Sequence, residues 1–306
     1  MQRNQRDGAI LILLSVAGYS CFSIFTKILL ARGEQPVNIA FWRYLFTLVI
    51  FWALVLFRRV RTPVRTSTPL PRVRLLLLGT LFAGEALVAF FGFEKLPAAT
   101  FTVLFYSYPA IVAILEAFLG ERLSPVAWLA LVLTLIGIVL TAPDFSAGLG
   151  GGSLLGVVLA LLDAFQVAVY FLLSSRLMRG HPDMLETSAW TVTGAFIVLV
   201  VIGLVTNGLA LPQPDSWLLV LAMAVIGTVL PVFALNAGIQ KLGSTRAAII
   251  ATFEPVLTAI LALTFLGEML LPTQWLGGAI IIASVILLQL RRPVAEDTEQ
   301  TALARE

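Results

Sequence analysis

Charge is what this 306-residue sequence has least of. Asp, Glu, Lys and Arg together make up 12% of it, about half of the roughly 25% found in soluble domains. A chain with so few charges cannot cover a water-facing surface, so a soluble domain is excluded. Cysteine is reduced to Cys21, which rules out an internal disulfide and with it a disulfide-stapled secreted fold. Histidine is reduced to His181, read as a solvated loop residue, so no His/Asp cluster can hold a metal. The lysines are Lys27, Lys95 and Lys241, and none closes a Gly-x-x-x-x-Gly-Lys run, which removes an ATP-driven pump. The pI of 9.3 does not imply nucleic acid, because the excess Arg sits in one loop.

What is present is apolar: 59% of the residues, with a mean hydropathy of +0.98. That excludes disorder and points to an integral membrane protein. A membrane-crossing helix needs about 20 apolar residues. Ten stretches qualify: 9–31, 37–57, 75–93, 97–119, 125–142, 153–177, 184–206, 216–238, 245–266 and 273–290. The first follows Arg3 and Arg6 but is too long for a signal peptide, so it reads as a retained span. Helices are expected throughout, because strands would leave backbone groups unpaired in lipid. The predicted fold is all-α, a polytopic membrane protein of ten transmembrane helices.

Basic residues set the orientation. Sixteen of the twenty Lys and Arg fall in the N-tail, the even-numbered loops and the C-tail, counting Arg176 and Arg246 at the span edges with the loops beside them. Only Arg32 and Lys95 lie in odd-numbered loops, and Lys27 and Arg43 lie within spans. Both termini are therefore expected in the cytoplasm. The loop with Arg58, Arg59, Arg61, Arg65, Arg72 and Arg74 dominates this asymmetry and reads as a topology anchor.

The chain also repeats itself. Lys95-Leu96 recurs as Lys241-Leu242, and Pro109 as Pro255, at an offset of 146. Gly120-Glu121 recurs as Gly267-Glu268, Pro125 as Pro272 and Trp128 as Trp275, at 147. Half the chain holds five spans, an odd number, so the second half must enter the membrane upside down. This inverted repeat divides the chain into 1–146, 147–292 and a cytoplasmic tail, 293–306. The glycines of 148–152 read as the joint between the halves.

The run Lys95-Leu96-Pro97-Ala98-Ala99, then Tyr108-Pro109, then Gly120-Glu121-Arg122-Leu123-Ser124, resembles the EamA-type drug/metabolite transporter family. So does its echo in Ala247-Ala248, Glu254-Pro255 and Gly267-Glu268, as do Lys27, Pro36 and Phe41-Trp42-Arg43-Tyr44. Tyr19 stands where the family often has Trp. The resemblance implies ten helices around a central cavity, with spans five and ten at the periphery. It further implies export of small metabolites such as amino acids across the inner or plasma membrane by alternating access. Nucleotide precursors and amphiphilic drugs are alternative cargoes. An enzyme is not expected, since neither a metal cluster nor a nucleophile–base pair stands out. No cofactor is expected, and the partners are a small-molecule substrate and the lipid bilayer.

Charges inside spans are costly and usually face a cavity or a partner. Glu85, Asp163 and Glu254 each lie about ten residues into their spans, near the midplane at about 1.5 Å per residue. Asp163, Gln166, Tyr170 and Ser174 share one helical face, as do Thr102, Tyr106, Pro109 and Glu116, and Tyr19, Ser23 and Lys27 form a slanting row. The candidate substrate or coupling residues are therefore Glu254, Asp163, Glu85, Tyr106, Tyr108, Tyr170, Gln166, Tyr19, Lys27 and Arg43. Lys27 also reads as a side chain snorkelling to the interface, Arg43 as a structural partner for a carboxylate, and Glu116 as a solvated rim. Glu254 is expected either as an ionised counter-ion for a substrate amine or as a proton carrier. Pro109, Pro255 and Pro231 are each expected to bend a helix and free one carbonyl, with Pro109 and Pro255 as hinges. Gly120-Glu121 and Gly267-Glu268 read as helix terminators.

Overall fold

The computed structural model describes residues 2–61, 70–119, 125–141, 154–178, 184–206, 208–242 and 250–290. The 148–152 joint, Gly120 to Ser124, His181 and Ala247-Ala248 lie outside these residues, as do the side chains of Glu116 and Ser174. Among the described residues all regular structure is helical. The helices are α1 (Gln2–Ala31), α2 (Pro36–Arg61), α3 (Arg72–Lys95), α4 (Ala98–Phe105), α5 (Tyr108–Phe118) and α6 (Pro125–Thr141). There follow α7 (Leu154–Met178), α8 (Met184–Val205), α9 (Trp217–Ala224), α10 (Leu230–Leu242), α11 (Glu254–Leu266) and α12 (Pro272–Leu290). A π segment, Val225–Val229, joins α9 to α10.

Among the described residues, six helical stretches are long and apolar enough to cross a membrane, and four shorter apolar helices coincide with the remaining expected spans. Proline opens α2, α6 and α12, where its missing N–H has no helical partner to lose. Gly33 and Gly267 follow α1 and α11 at φ +84° and +67°, a left-handed turn that glycine takes without a Cβ clash. Gly267 therefore terminates its helix as expected from sequence.

Two expected spans differ from the sequence reading. The stretch 97–119 is not one helix: it breaks at Tyr106-Ser107 into α4 and α5. The stretch 245–266 breaks at Thr252-Phe253, after helical Ile250 and Ala251. Pro109 and Pro255 are the second residues of the helices that follow, so they start new helices rather than bend old ones. The breaks are equivalent under the 146-residue offset. Ser107 donates its amide to the Leu104 carbonyl, as Phe253 does to Ile250. Ile111 donates to Ser107, as Leu257 does to Phe253. Pro231 likewise sits in no simple kink. The π segment before it inserts one residue, and the Leu230 amide reaches back to the Val225 carbonyl.

Helix packing has the same internal correspondence. Let α4–α5 stand as the fourth span and α9–α10 as the eighth. Span one packs on eight and nine, and span six packs on three and four. Span three packs on seven, and eight on two, while two and seven pair with each other. Spans five and ten, α6 and α12, pair at the edge, where Leu135 and Val139 are among the exposed apolar side chains. Their contact is antiparallel. The Thr134 and Ser284 hydroxyls meet at 2.7 Å, and Gly137 lies against Ile281 and the Gly277 carbonyl. Shifted by 147, residue 134 becomes 281 and residue 137 becomes 284, so one contact maps onto the other. Helices α3 and α8 cross closely, with Gly79 facing the Thr191 carbonyl and Gly194 the Leu76 carbonyl. A Cβ at either glycine would meet backbone, the small-residue packing usual between helices in lipid.

Candidate functional site

The centre of the bundle is polar where its flanks are apolar. Arg43, on α2, is 8% exposed and donates from Nε to the Thr228 hydroxyl at 3.0 Å. Thr228 is placed for this by the π segment, and its own hydroxyl proton goes to the Met223 carbonyl at 3.1 Å. The guanidinium lies over the Phe22 ring at 4.4 Å and near Tyr44 and Phe90 at 5.2 and 5.8 Å. Its charge is felt by Glu85 on α3, Asp163 on α7 and Tyr19 on α1. Four helices thus contribute one cation, two carboxyl groups and a phenol to one region. Asp163 is 2% exposed and its Oδ1 has no hydrogen-bond partner among the described residues, while Glu85 keeps accessible surface.

A second polar group lies at the helix breaks. The Tyr106 hydroxyl is 2.8 Å from the Ala251 carbonyl and 2.9 Å from Glu254 Oε2. Ala251 precedes Pro255 by four residues, so its carbonyl has no helical N–H to accept. The side chain at one break therefore covers the backbone freed at the other. Ser20 adds a hydrogen bond of 3.3 Å to the Glu254 carbonyl. Tyr19 is close enough to feel the Glu254 charge, which ties this group to the Arg43 group.

The described members of the polar rows have the following neighbours. Ser23 on α1 and Thr102 on α4 meet each other at 3.5 Å. Tyr170 stacks on Phe82 at 5.3 Å, and Tyr108 packs edge-on against Tyr106 at 5.9 Å. Gln166 turns toward α3, where a Cβ on Gly84 would come within 3.0 Å of its amide nitrogen. It borders an apolar cleft of 480 Å³ between α3 and α7 that also reaches Phe91 and Lys95. Lys27 stands apart from the centre. Its Nζ donates to the Phe93 and Leu96 carbonyls at 3.1 and 3.0 Å and pairs with Glu268 Oε1 at 3.3 Å.

Glu268 is the main residue the sequence reading missed. Its amide does terminate α11, donating to the Ala262 carbonyl at 3.2 Å, and its side chain also accepts the Ala98 amide at 2.6 Å with its other oxygen. The same end of the bundle holds a second clasp that was not foreseen. Glu34 accepts the Gln213 amide at 2.8 Å and the Asn38 side-chain amide at 3.0 Å. Arg32 donates to the Asp215 carbonyl at the edge of that clasp. The Gly-Glu repeat hinted at Glu268, whereas nothing periodic marks Glu34.

A membrane-type helical bundle with two broken helices and charges buried between them is the architecture of a polytopic carrier. Comparison with known proteins agrees. The EamA-like transporter family model matches residues 6–142 and again 154–290, and this chain belongs to that family. An Archaeoglobus fulgidus protein named "Uncharacterized transporter" is 26% identical over 285 residues, covering 93% of this chain and 97% of its own. The Escherichia coli K12 "Uncharacterized inner membrane transporter YedA" is 23% identical over 285 residues, covering 92% of this chain and 90% of its own. A solved structure titled "Crystal structure of protein" superposes with a TM-score of 0.59 at 18% identity. It covers 90% of this chain and 96% of its own, and so shares the fold. The protein is a multi-pass membrane transporter by family.

Proposed function

We propose that this chain is a secondary transporter that exports small metabolites such as amino acids across the cell membrane by alternating access. The observation that carries this reading is the set of buried Arg43 and Asp163 with half-buried Glu85, beside two helices broken at equivalent positions. An amino acid carries a carboxylate and an ammonium group. Arg43 offers a guanidinium to the first, and Asp163 Oδ1 and Glu85 offer acceptors to the second. Tyr19, Tyr106, Tyr108 and Tyr170 supply aromatic wall for an apolar side chain. Gln166 joins Asp163 on the same face of α7.

The chain works in this proposal as two inverted five-helix repeats, 1–146 and 147–292, with both termini and the 293–306 tail in the cytoplasm. The paired packing of spans, the antiparallel contact of α6 with α12 and the two equivalent breaks support the inverted arrangement. On this topology the Lys27–Glu268 and Glu34–Gln213 clasps lie on the outer side and hold the outer gate together. Pro109 and Pro255 start the half-helices that tilt when one repeat rocks on the other. The transport reading leaves no role for an enzyme.

Proteoliposomes loaded with phenylalanine test it. Saturable counterflow of external labelled phenylalanine is expected, lost in Arg43→Gln and reduced in Asp163→Asn. Entry that rises linearly with concentration would indicate a channel, and no entry would overturn the amino-acid reading. The apolar cleft at Gln166 favours one second reading, an amphiphilic cargo. An export profile of overproducing cells, dominated by amphiphiles and unchanged for amino acids, would select it.

A further inference from the structure

The Tyr106 hydroxyl has two acceptors in reach and one hydrogen to give. A neutral phenol donates once, yet its oxygen lies 2.8 Å from the Ala251 carbonyl and 2.9 Å from Glu254 Oε2. Tyr106 is 4% exposed, so water does not supply the missing hydrogen. The Ala251 carbonyl can only accept, and Pro255 has no N–H to offer it. If the Tyr106 hydrogen goes there, an ionised Glu254 would face the phenol oxygen with lone pair against lone pair. If it goes to Glu254, the half-buried Ala251 carbonyl is left without a donor, which is unfavourable. One arrangement satisfies all three groups. Glu254 carries a proton and donates it to the Tyr106 oxygen, and Tyr106 donates its own hydrogen to Ala251.

Among the described residues no counter-charge pairs with Glu254 to hold it ionised. On α1 the titratable neighbours are Tyr19, which interacts with Glu254, and Lys27, which is engaged by Glu268 at 3.3 Å. From α4 and α5 come Tyr106 and Tyr108. Arg43 on α2 and Glu85 on α3 act on Tyr19, and Arg43 is directed to Thr228 at 3.0 Å. Among the described residues, Glu254 forms no ion pair; its one side-chain hydrogen-bond partner is Tyr106.

We propose that Glu254 and Tyr106 form a proton-binding site that latches one broken helix to the other, and that the proton bound there is the coupling ion of transport. The latch joins the end of α4 to the start of α11, so it spans the two halves of the chain. Loss of the proton to water in the cavity leaves Tyr106 with one hydrogen for two acceptors. The contact then favours separation of the halves. Coupling rests on the transporter reading above, whereas the protonated carboxyl does not.

Infrared difference spectra of the purified full-length protein in lipid nanodiscs test the site without any cargo. At neutral pH the wild type is expected to show a protonated-carboxyl C=O stretch that Glu254→Gln removes. Tyr106→Phe should shift that band to higher frequency, since the carboxyl loses its acceptor, and this second variant decides the matter if Glu254→Gln fails to fold. No band assignable to Glu254, or a band indifferent to Tyr106→Phe, would overturn the proposal. Coupling is then read in proteoliposomes with phenylalanine. Wild type should respond to an imposed pH gradient, and Glu254→Gln should retain exchange but lose the response. An undiminished response in Glu254→Gln would also overturn it. Absence of any wild-type exchange strikes instead at the amino-acid reading, and the spectra then decide the proton site alone.

Discussion

Lys27 and Glu268 meet at 3.3 Å, and each completes the end of a helix that belongs to neither. The Lys27 ammonium lies on the last carbonyls of α3, and Glu268 accepts the first amide of α4. A cation at a helix C-terminus and an anion at an N-terminus both oppose the helix dipole charge. The pair thus closes the short Leu96-Pro97 connection while binding it to the end of α11.

The two roles of Glu268 can be separated. Glu268→Gln keeps an oxygen for the Ala98 amide and loses the charge. Glu268→Ala loses both. Hydrogen bonds to charged groups contribute about 1.5–3 kcal/mol, and this pair is only partly shielded, at 22% and 18% side-chain exposure. Thermal unfolding in detergent should therefore rank wild type above Glu268→Gln above Glu268→Ala. Lys27→Met should add little to Glu268→Ala, because the partners are coupled. Equal stabilities across the series would mean that the contact does not bear on folding.

The proposed topology makes a simple cellular prediction. A cytoplasm-dependent reporter fused after Arg292 should be active, and one inserted in 148–152 should not. An export-dependent reporter should give the reverse pattern. Activity of the cytoplasmic reporter at both sites would rule out an odd number of spans per half, and with it the inverted repeat.

Much of the fold was legible because lipid demands long apolar runs, and such runs survive without any knowledge of packing. The terminator at Gly267 was legible because a left-handed turn calls for glycine. The repeat was legible because proline and Gly-Glu stand out against an apolar background. The helix breaks were not. Tyr106-Ser107-Tyr108-Pro109 and Thr252-Phe253-Glu254-Pro255 are short polar dips within long apolar runs, and such a dip marks a kinked helix as well as a broken one. The prolines marked the right places and suggested the wrong geometry. The π segment left no mark at all, although it is what brings Thr228 to Arg43. Partners distant in sequence, such as Tyr106 with Ala251 and Lys27 with Glu268, depend on how the two halves meet. No single span contains that information.

Arg43 should be the residue least tolerant of truncation. Its charge acts on both Glu85 and Asp163, and removing the cation leaves carboxyl groups in a desolvated bundle without compensation. Arg43→Ala should therefore fold poorly. Arg43→Ala combined with Asp163→Asn should recover part of the loss, because one uncompensated carboxyl is gone. Arg43→Lys should rescue less than charge alone suggests, since an ammonium cannot both reach Thr228 and lie flat on Phe22. Full stability of Arg43→Ala in a detergent melt would show that the carboxyl groups need no counter-charge.

The contact between Tyr106 and the Ala251 carbonyl predicts a rescue that a simple packing role would not. Tyr106→Phe removes the hydroxyl and leaves that carbonyl buried without a donor, which should destabilise the protein by about 1–3 kcal/mol. Pro255→Ala alone restores an N–H at position 255. In a continuous helix that amide would bond to Ala251, so it competes with Tyr106 and tends to close the break. The single variant should insert normally, stay folded and transport slowly, because a continuous helix resists the tilt that alternating access requires. Pro109→Ala should act in the same way on the first break. In the double variant Tyr106→Phe, Pro255→Ala, the new amide takes over the orphaned carbonyl. Its stability should exceed that of Tyr106→Phe, a departure from additivity expected of groups that share one acceptor. Thermal melts of the four proteins close the cycle. Additive losses would show that Pro255→Ala does not extend the helix, and that the break is held by packing around Thr252 and Phe253 instead of by the missing amide.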